Sequence, residues 1–536
     1  MGGGTRSEEQ GMADKALNGA IAVTRFGLGA RPGEIADASN DPVGWLRAQI
    51  RREGADEPVT APLPATPPPA PPMPPKPTPV AAGAAMAAGQ VPPGAVSQMQ
   101  AEVAMAGAPP MAPPAPPAPI PPKTDFGVGR PLPTMQASYQ TFLDYRAAIK
   151  NAKDDPDRRR EASIPLYELA AEEALARARL AATTPAGFRE RWALFWCNHF
   201  TVAAKNQDTT VAVGPFEREA VRPHVFGSFA ELLLASSMHP GMLLYLDQNQ
   251  SIGPNSQAGQ RRRGSGLNEN LGREIMELHS VGADAGYTQA DVTEFARALT
   301  GWSVGNGGNQ EPPGREGAFV YRDNFHEPGS RKIMGVSYGD EGGRQAAKVI
   351  IDLAQKPQTA RRLAHKIAVH FVADDPPPAL VARLEDTWTR THGDLARVAE
   401  ALITAPEAFD PAPRKFKTPY EFVLSSYRAA DFVPENPARE VVGPLNTLGQ
   451  RPFGAPQPNG WSDQAAEWAA PDAIVKRLTW VQGFANAHAP QTAPTDEAKL
   501  VLGDRISPKT YTAISRAESR PEAFALLLMS PEFQRR

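Results

Sequence analysis

The chain has 536 residues, 56 basic and 59 acidic side chains, a formal net charge of −3, 57 prolines and one cysteine, Cys197. That balance leaves no overall basic field for nucleic acid, and a lone cysteine rules out an intramolecular disulfide and any multi-cysteine zinc or iron–sulfur site. No apolar run approaches the roughly 18 residues of a membrane span, while the length suffices for two or three domains or for one large helical domain with insertions.

Residues 1–15 are glycine-rich and charged, show no signal-peptide apolar region and read as a disordered N-terminus, with Met12 a second candidate start. Residues 16–52 form an ordered segment too short to fold alone, so it should pack on the rest. Gly27, Gly29 and Gly33 superficially match a dinucleotide fingerprint. Their spacing is G-x-G-x-x-x-G and Pro32 falls where a helix should continue, so they read as a turn before a helix start. Residues 53–132 carry runs such as PLPATPPPAPPMPPKPTP. Proline removes backbone donors and alanine offers little packing area, so this Pro/Ala-rich tract cannot offset its ordering entropy and reads as a disordered insertion, serving as a spacer or docking segment. Residues 133–536 are the main helical domain.

Helical spacing recurs at 135–153, 165–183 and 185–199, the last ending in RWALFWCNHF. Trp192, Phe195 and Trp196 anchor that helix, which places Asn198 and His199 near the interior as site candidates; a histidine there can equally cap the helix. HPGMLLYLDQNQ ends in Asp247, Gln248 and Asn249, oxygen donors that suit either a hard cation or a turn.

The stretch from Gly266 to Trp302, GLNENLGREIMELHSVGADAGYTQADVTEFARALTGW, is the densest in acid, amide and imidazole groups. On a helix at about 100° per residue, Leu267, Leu271, Ile275 and Leu278 form an apolar stripe. Asn270, Glu274 and Glu277 border it on one side, Asn268 and His279 on the other. Arg273 stands four residues from both Glu269 and Glu277, and such surface pairs contribute only ~0.2–0.5 kcal/mol each. Thr288 and Asp291 resemble a capping box, Val292, Phe295 and Leu299 repeat helically, and Gly301 supplies a stop, so the stretch reads as a helical hairpin. Asn270, Glu274 and Glu277 are expected to meet groups from WCNHF, the LDQNQ turn and the FHEP segment.

AFVYRDNFHEPGSRKIMG suggests two short strands around a turn carrying His326, Glu327 and Lys332. From Gly343 to Phe409 the pattern is helical again, with His365 and His370 reading as core histidines. LGQRPFGAPQPNGWSDQAAEW is an extended loop offering Asn459 and Trp461, and helices complete the chain to Phe533. The expected fold is mainly α, a multi-helix globular core with short β-hairpin elements.

In order, RFGLGARPGE, WCNHF, HPGMLLYLD, GLNENLGREIMELHSVG, YTQADVTEFARALTGW, FHEPGSRKIMG and LGQRPFGAPQPNGWSD resemble the bacterial family called domain of unknown function 1800. Two departures are Leu271-Gly272, where that family tends to have an aromatic and alanine, and Glu327, where aspartate is usual. The resemblance implies a shared helical fold and shared polar motifs without a settled reaction, and an extracytoplasmic location that this N-terminus does not announce.

Two functional expectations follow. In the first the protein is a hydrolase, with Glu274, Glu277, His199, His279 and His326 as acid–base or ligand groups and a divalent cation as an allowed cofactor. Asn268, Asn270, Arg273, Asn198, Asp247, Trp302, Asn459 and Trp461 would then bind the substrate. H-E-x-x-H, G-x-S-x-G and P-loop motifs are absent. In the second it is a non-enzymatic extracytoplasmic binding or assembly protein, and the polar helix is a structural network holding neighbouring helices for an unidentified ligand or protein partner.

Overall fold

A computed structural model describes residues 14–51, 131–152, 155–261, 266–307 and 314–536. Residues 53–130 of the segment expected to be a disordered insertion, and residues 1–13 of the expected N-terminal tail, lie outside these; Asp14 and Lys15, expected to be disordered, are helical, and Leu132 is buried.

The protein is mainly helical, and among the described residues the strands pair in two short hairpins. Met135–Ala152 (α1) pairs with the long helix Pro156–Thr183 (α2). α2 begins nine residues before the expected start because Asp155 caps the backbone of Asp157 and Arg158, and Pro165 is carried inside it. Gly187–His199 (α3) is buried almost all round. Its Trp192 ring lies 5.8 Å from Phe371, 6.0 Å from Phe188 and 6.2 Å, stacked, from Phe226. Such offset aromatic contacts each add about 0.5–1.5 kcal/mol beyond area burial, so α3 is the axle on which neighbouring elements are placed.

Phe229–Met238 (α4) starts at a capping box, Ser228 with Glu231. The expected helical hairpin is present. Its first arm is a short α-helix, Asn270–Glu274, that continues as a π-helical turn, Ile275–His279 (together α5). Its second is Gln289–Leu299 (α6), opened by the Thr288–Asp291 capping box.

Trp302–Val304 (β1) pairs antiparallel with Phe319–Tyr321 (β2), and Arg331–Ile333 (β3) with Val336–Tyr338 (β4). The two strands anticipated around FHEP are thus both present, but each pairs elsewhere. Trp302, just past the expected helix stop, opens β1 where Gly301 takes φ +91° and turns the chain.

Gly343–Ala354 (α7), Pro357–Phe371 (α8), Pro378–Arg390 (α9) and Leu395–Ile403 (α10) follow as packed neighbours, α8 on α9 and α9 on α10. Pro419–Ala429 (α11) is buried throughout. Pro471–His488 (α12) packs on Arg520–Met529 (α13). The main apolar cluster runs from Ile21 to Phe533 and takes in the N-terminal segment. There the Phe26 ring sits 5.1 Å from Phe409, and Arg25 donates to the carbonyls of Ala408 and Ala412 at 2.8 and 2.7 Å. No described helix is long and apolar enough to cross a membrane.

Candidate functional site

The polar residues of α5 divide into a surface set and a buried set. On the surface Arg273 donates to Glu269 at 3.2 Å, Glu277 at 3.4 Å and Gln289 at 2.9 Å. Glu269 also accepts from Thr293 and Gln289, tying α5 to α6. Glu274 is half-buried. Burial first, and the Glu277 charge second, raise its carboxyl above the usual range. Among the described residues no hydrogen bond or ion pair joins Glu274 or Glu277 to His199, His279 or His326. The expected meeting of Glu274 and Glu277 with the other motifs is therefore not carried by bonds to these histidines.

For Glu277 and His279 the reason is local geometry. A wheel at a fixed 100° assumes i→i+4 bonding throughout, whereas Ile275–His279 is π-helical and bonds i→i+5. His279 therefore turns into the core, and the neighbours of WCNHF and LDQNQ are its ring and Asn268. Asn268 donates to the carbonyls of Leu246 and Asp247 at 3.0 and 2.9 Å and accepts the backbone N–H of Asn270 at 2.9 Å. Asp247, at φ +56°, thus takes part through its backbone.

His326 is buried, with Nδ1 2.9 Å from the carbonyl of Thr300, and Glu327 accepts both the backbone and side-chain N–H groups of Asn255. Trp302 is fully buried and donates to the carbonyl of Gly343 at 3.1 Å. These residues bind the chain to itself. Asn459 is exposed.

His199 and His279 come together at the end of α3, with ring centroids 6.0 Å apart and both rings buried. His199 Nε2 donates to the carbonyl of His279 at 3.1 Å, and Arg362 donates to the carbonyls of Leu278 and Ser280. Three carbonyls left over where the π-turn ends are thereby satisfied. Lys366 donates to His199 Nδ1 at 3.1 Å, so the imidazole is neutral with its proton on Nε2. Burial and the Lys366 charge hold His199 well below its ordinary pKa; burial and Arg362 bring His279 down to about 3. Burial and Arg362 also bring Lys366 down to about 8.

One turn further along α8 stands His370, on the same face as Arg362 and Lys366 by its i+4 spacing. Its Nδ1 is 2.7 Å from Asp463 Oδ1. Asp463 is brought to about 2; burial alone would raise it, and the facing His370 and Lys415 override that. Burial lowers the His370 pKa, and its Nε2 is buried without a hydrogen-bond partner among the described residues. A neutral ring that donates from Nδ1 to an ionised carboxylate presents a bare Nε2 lone pair, the arrangement of a general base.

His370 and Asp463 line a cleft of about 90 Å³ between α3, the start of α11 and the 450–463 loop. One water needs roughly 10–15 Å³ by this measure, so the cleft has room for several waters or a small ligand. The loop is held by Asn198, which donates to the Trp461 carbonyl at 2.9 Å and accepts the Trp461 N–H at 2.8 Å. Gly460, at φ +80°, lets the loop approach: a Cβ there would lie 2.3 Å from the Asn198 carbonyl oxygen.

The floor is ionic. The Thr418–Glu421 capping box turns Glu421 back to the start of α11, where it accepts from Arg191 at 2.8 Å and from Arg536 at 2.7 Å. Arg536 also donates to the His370 carbonyl at 2.7 Å. Cys197 lines the cleft, but burial pushes its thiol up, away from the reactive thiolate.

Asn198 and Trp461, candidates from sequence, are therefore joined at this cleft. His370 was read as a core histidine, and Asp463, Lys366 and Glu421 were not singled out. RRLAHKIAVH does carry a signal for two of them, basic side chains at Arg362, Lys366 and His370 recurring every four residues on one helix face. Among the described residues no group of three or more His, Cys, Asp and Glu is placed to hold a metal ion.

Residues 21–535 match the family described as protein of unknown function, DUF1800, and the chain belongs to that family. No curated protein and no solved structure matches it.

Proposed function

For this member of a family without an assigned activity, we propose that the cleft between α3, α11 and the 450–463 loop performs acid–base chemistry on a small polar substrate, with His370 as general base. The observation that carries this reading is the His370–Asp463 pair, whose free Nε2 belongs to a residue of the cleft wall. Asp463 fixes the tautomer and would stabilise the imidazolium formed when the base takes a proton. With Cys197 protonated, the simplest nucleophile is water, which makes hydrolysis the favoured reaction class. Asn198 positions the wall through Trp461.

The polar residues of α5 take the other expected role. Glu269, Arg273 and Glu277 with Gln289 and Thr293 hold the hairpin together, and His199 with Arg362 closes the end of the π-turn. These contacts support a structural network there.

A panel of p-nitrophenyl esters and phosphates, assayed from pH 5 to 9 with the wild type and His370→Gln, tests the proposal. Turnover should fall on the order of 100-fold in the variant, and in the wild type its plateau should begin below pH 6.5, because burial lowers the base. If the folded wild type turns over nothing on the panel, or His370→Gln matches it, the reading is lost.

A further inference from the structure

Unmade hydrogen bonds in the cleft point to what it binds. Buried polar atoms in folded proteins nearly always find partners, and each exception needs a reason. Four atoms without a partner among the described residues belong to residues lining this cleft: Arg177 Nε, Arg191 Nε, Tyr420 Oη and His370 Nε2. Arg191 is 2 % exposed, and Tyr420 and His370 are each 9 % exposed.

Two of the four are guanidinium donors, and the third is a phenol whose pKa burial pushes up, so it too keeps its proton and can donate. The acids of the wall have cationic or imidazole partners. Glu217 accepts from Arg177 at 3.0 Å, Glu421 from Arg191 and Arg536, and Asp463 faces His370. The Arg177 guanidinium lies over the Tyr420 ring at 4.7 Å, holding both donors in one corner. What the wall leaves unmet is demand for acceptors. The interior behind it is cationic: burial and then Arg536 bring Arg191 down to about 9, and burial and then Arg505 hold Lys417 well below its ordinary value.

We infer that the cleft binds a small oxyanion, a carboxylate or phosphate group, whose oxygens accept from Arg177, Arg191 and Tyr420 beside His370. Oxygen acceptors would complete the three donors, and the anion would offset the cationic interior. This deepens the acid–base reading, and it places the charged end of the substrate next to the base.

Sodium phosphate and sodium acetate are the probes, with sodium chloride at matched ionic strength and glycerol as controls. Binding is read by calorimetry and by the melting temperature of the full-length protein. Tyr420→Phe is the informative variant, because its hydroxyl has no partner to lose, so the unliganded melting temperature should hold. One or both anions should bind the wild type, which one telling phosphate from carboxylate, with affinity about tenfold weaker in Tyr420→Phe, one hydrogen bond's worth. Anions no better than chloride, or equal affinity in the variant, would overturn the inference. His370-dependent ester turnover without anion binding would defeat this inference alone. Tyr420-dependent anion binding without any His370-dependent turnover would defeat the acid–base reading and uphold the anion site.

Discussion

Asn198 makes both backbone hydrogen bonds of Trp461, across 263 residues of sequence, as an adjacent β-strand would. One side-chain amide thereby stands in for a strand, and the wall of the cleft depends on it. Asn198→Ala removes a donor and an acceptor together and should cost about 1–3 kcal/mol. The local effect is sharper. Hydrogen exchange across residues 457–463 should quicken while exchange in α8 stays slow, and uniform protection in the variant would show that the loop is held by other contacts.

Gly460→Ala attacks the same contact from the loop side. Its positive φ disfavours a side chain, and a Cβ 2.3 Å from backbone oxygen cannot be accommodated without moving the loop. A lower melting temperature, with faster exchange at Trp461, is the expected result. An unchanged melt would mean that the loop shifts freely.

The buried histidines set an acid limit on stability. His199 and His279 stay neutral in the fold, His279 down to about 3, whereas in the unfolded chain both take up protons below about 6.5. The unfolded state then binds more protons, so stability falls as pH drops from 6.5 towards the folded values. The slope approaches ~1.4 kcal/mol per pH unit for His279, about 1.5–2 kcal/mol between pH 6.5 and 5, and His199 adds a loss of the same sign. Asp463 and Glu421, both depressed, add their own losses only at lower pH, below about 4.5. Urea denaturation at pH 7.5, 6.5 and 5.5 measures this, and a flat profile would contradict it.

Lys366 has the opposite profile. Its folded value near 8 lies below the ordinary 10.5, so the cost of its buried charge is fully present below pH 8 and fades as pH rises to 10.5. That cost is on the order of 3 kcal/mol, and the lost hydrogen bond to His199 returns about 1 kcal/mol of it. Lys366→Met should therefore melt higher at pH 7, and the stability gained by the wild type between pH 8 and 10 should vanish. A lower melting temperature would show that His199 needs its donor more than the core resents the charge.

The surface ion pairs of α5 should matter little. Arg273→Ala breaks two part-exposed pairs worth together ~1 kcal/mol or less. It should leave anion binding and any ester turnover unchanged. A large loss of either would return the site to this helix.

Helix and hairpin positions were legible because they rest on local rules: the Thr288–Asp291 box, the α6 repeat, the aromatic run of α3. The cleft was legible only in pieces. Asn198 and Trp461 stood out singly, but nothing local says that an amide meets a backbone 263 residues away. His370 looked like a core histidine and is in fact buried; what sets it apart is Asp463, 93 residues on in a polar loop. The π-turn at Ile275–His279 was invisible to a wheel of fixed pitch, and it redirected His279.

The floor of the cleft has a consequence for the order of folding. Arg191 bonds at once to the Gly27 carbonyl and to Glu421, spans of 164 and 230 residues, and Arg25 reaches Ala408 across 383. Loop closure over such spans is slow compared with helix formation. Helical pairs such as α8 with α9 should assemble early and the cleft last, so a chain that has gained its helical signal can still lack its binding site. Recovery of anion binding during refolding would then lag behind the recovery of helix.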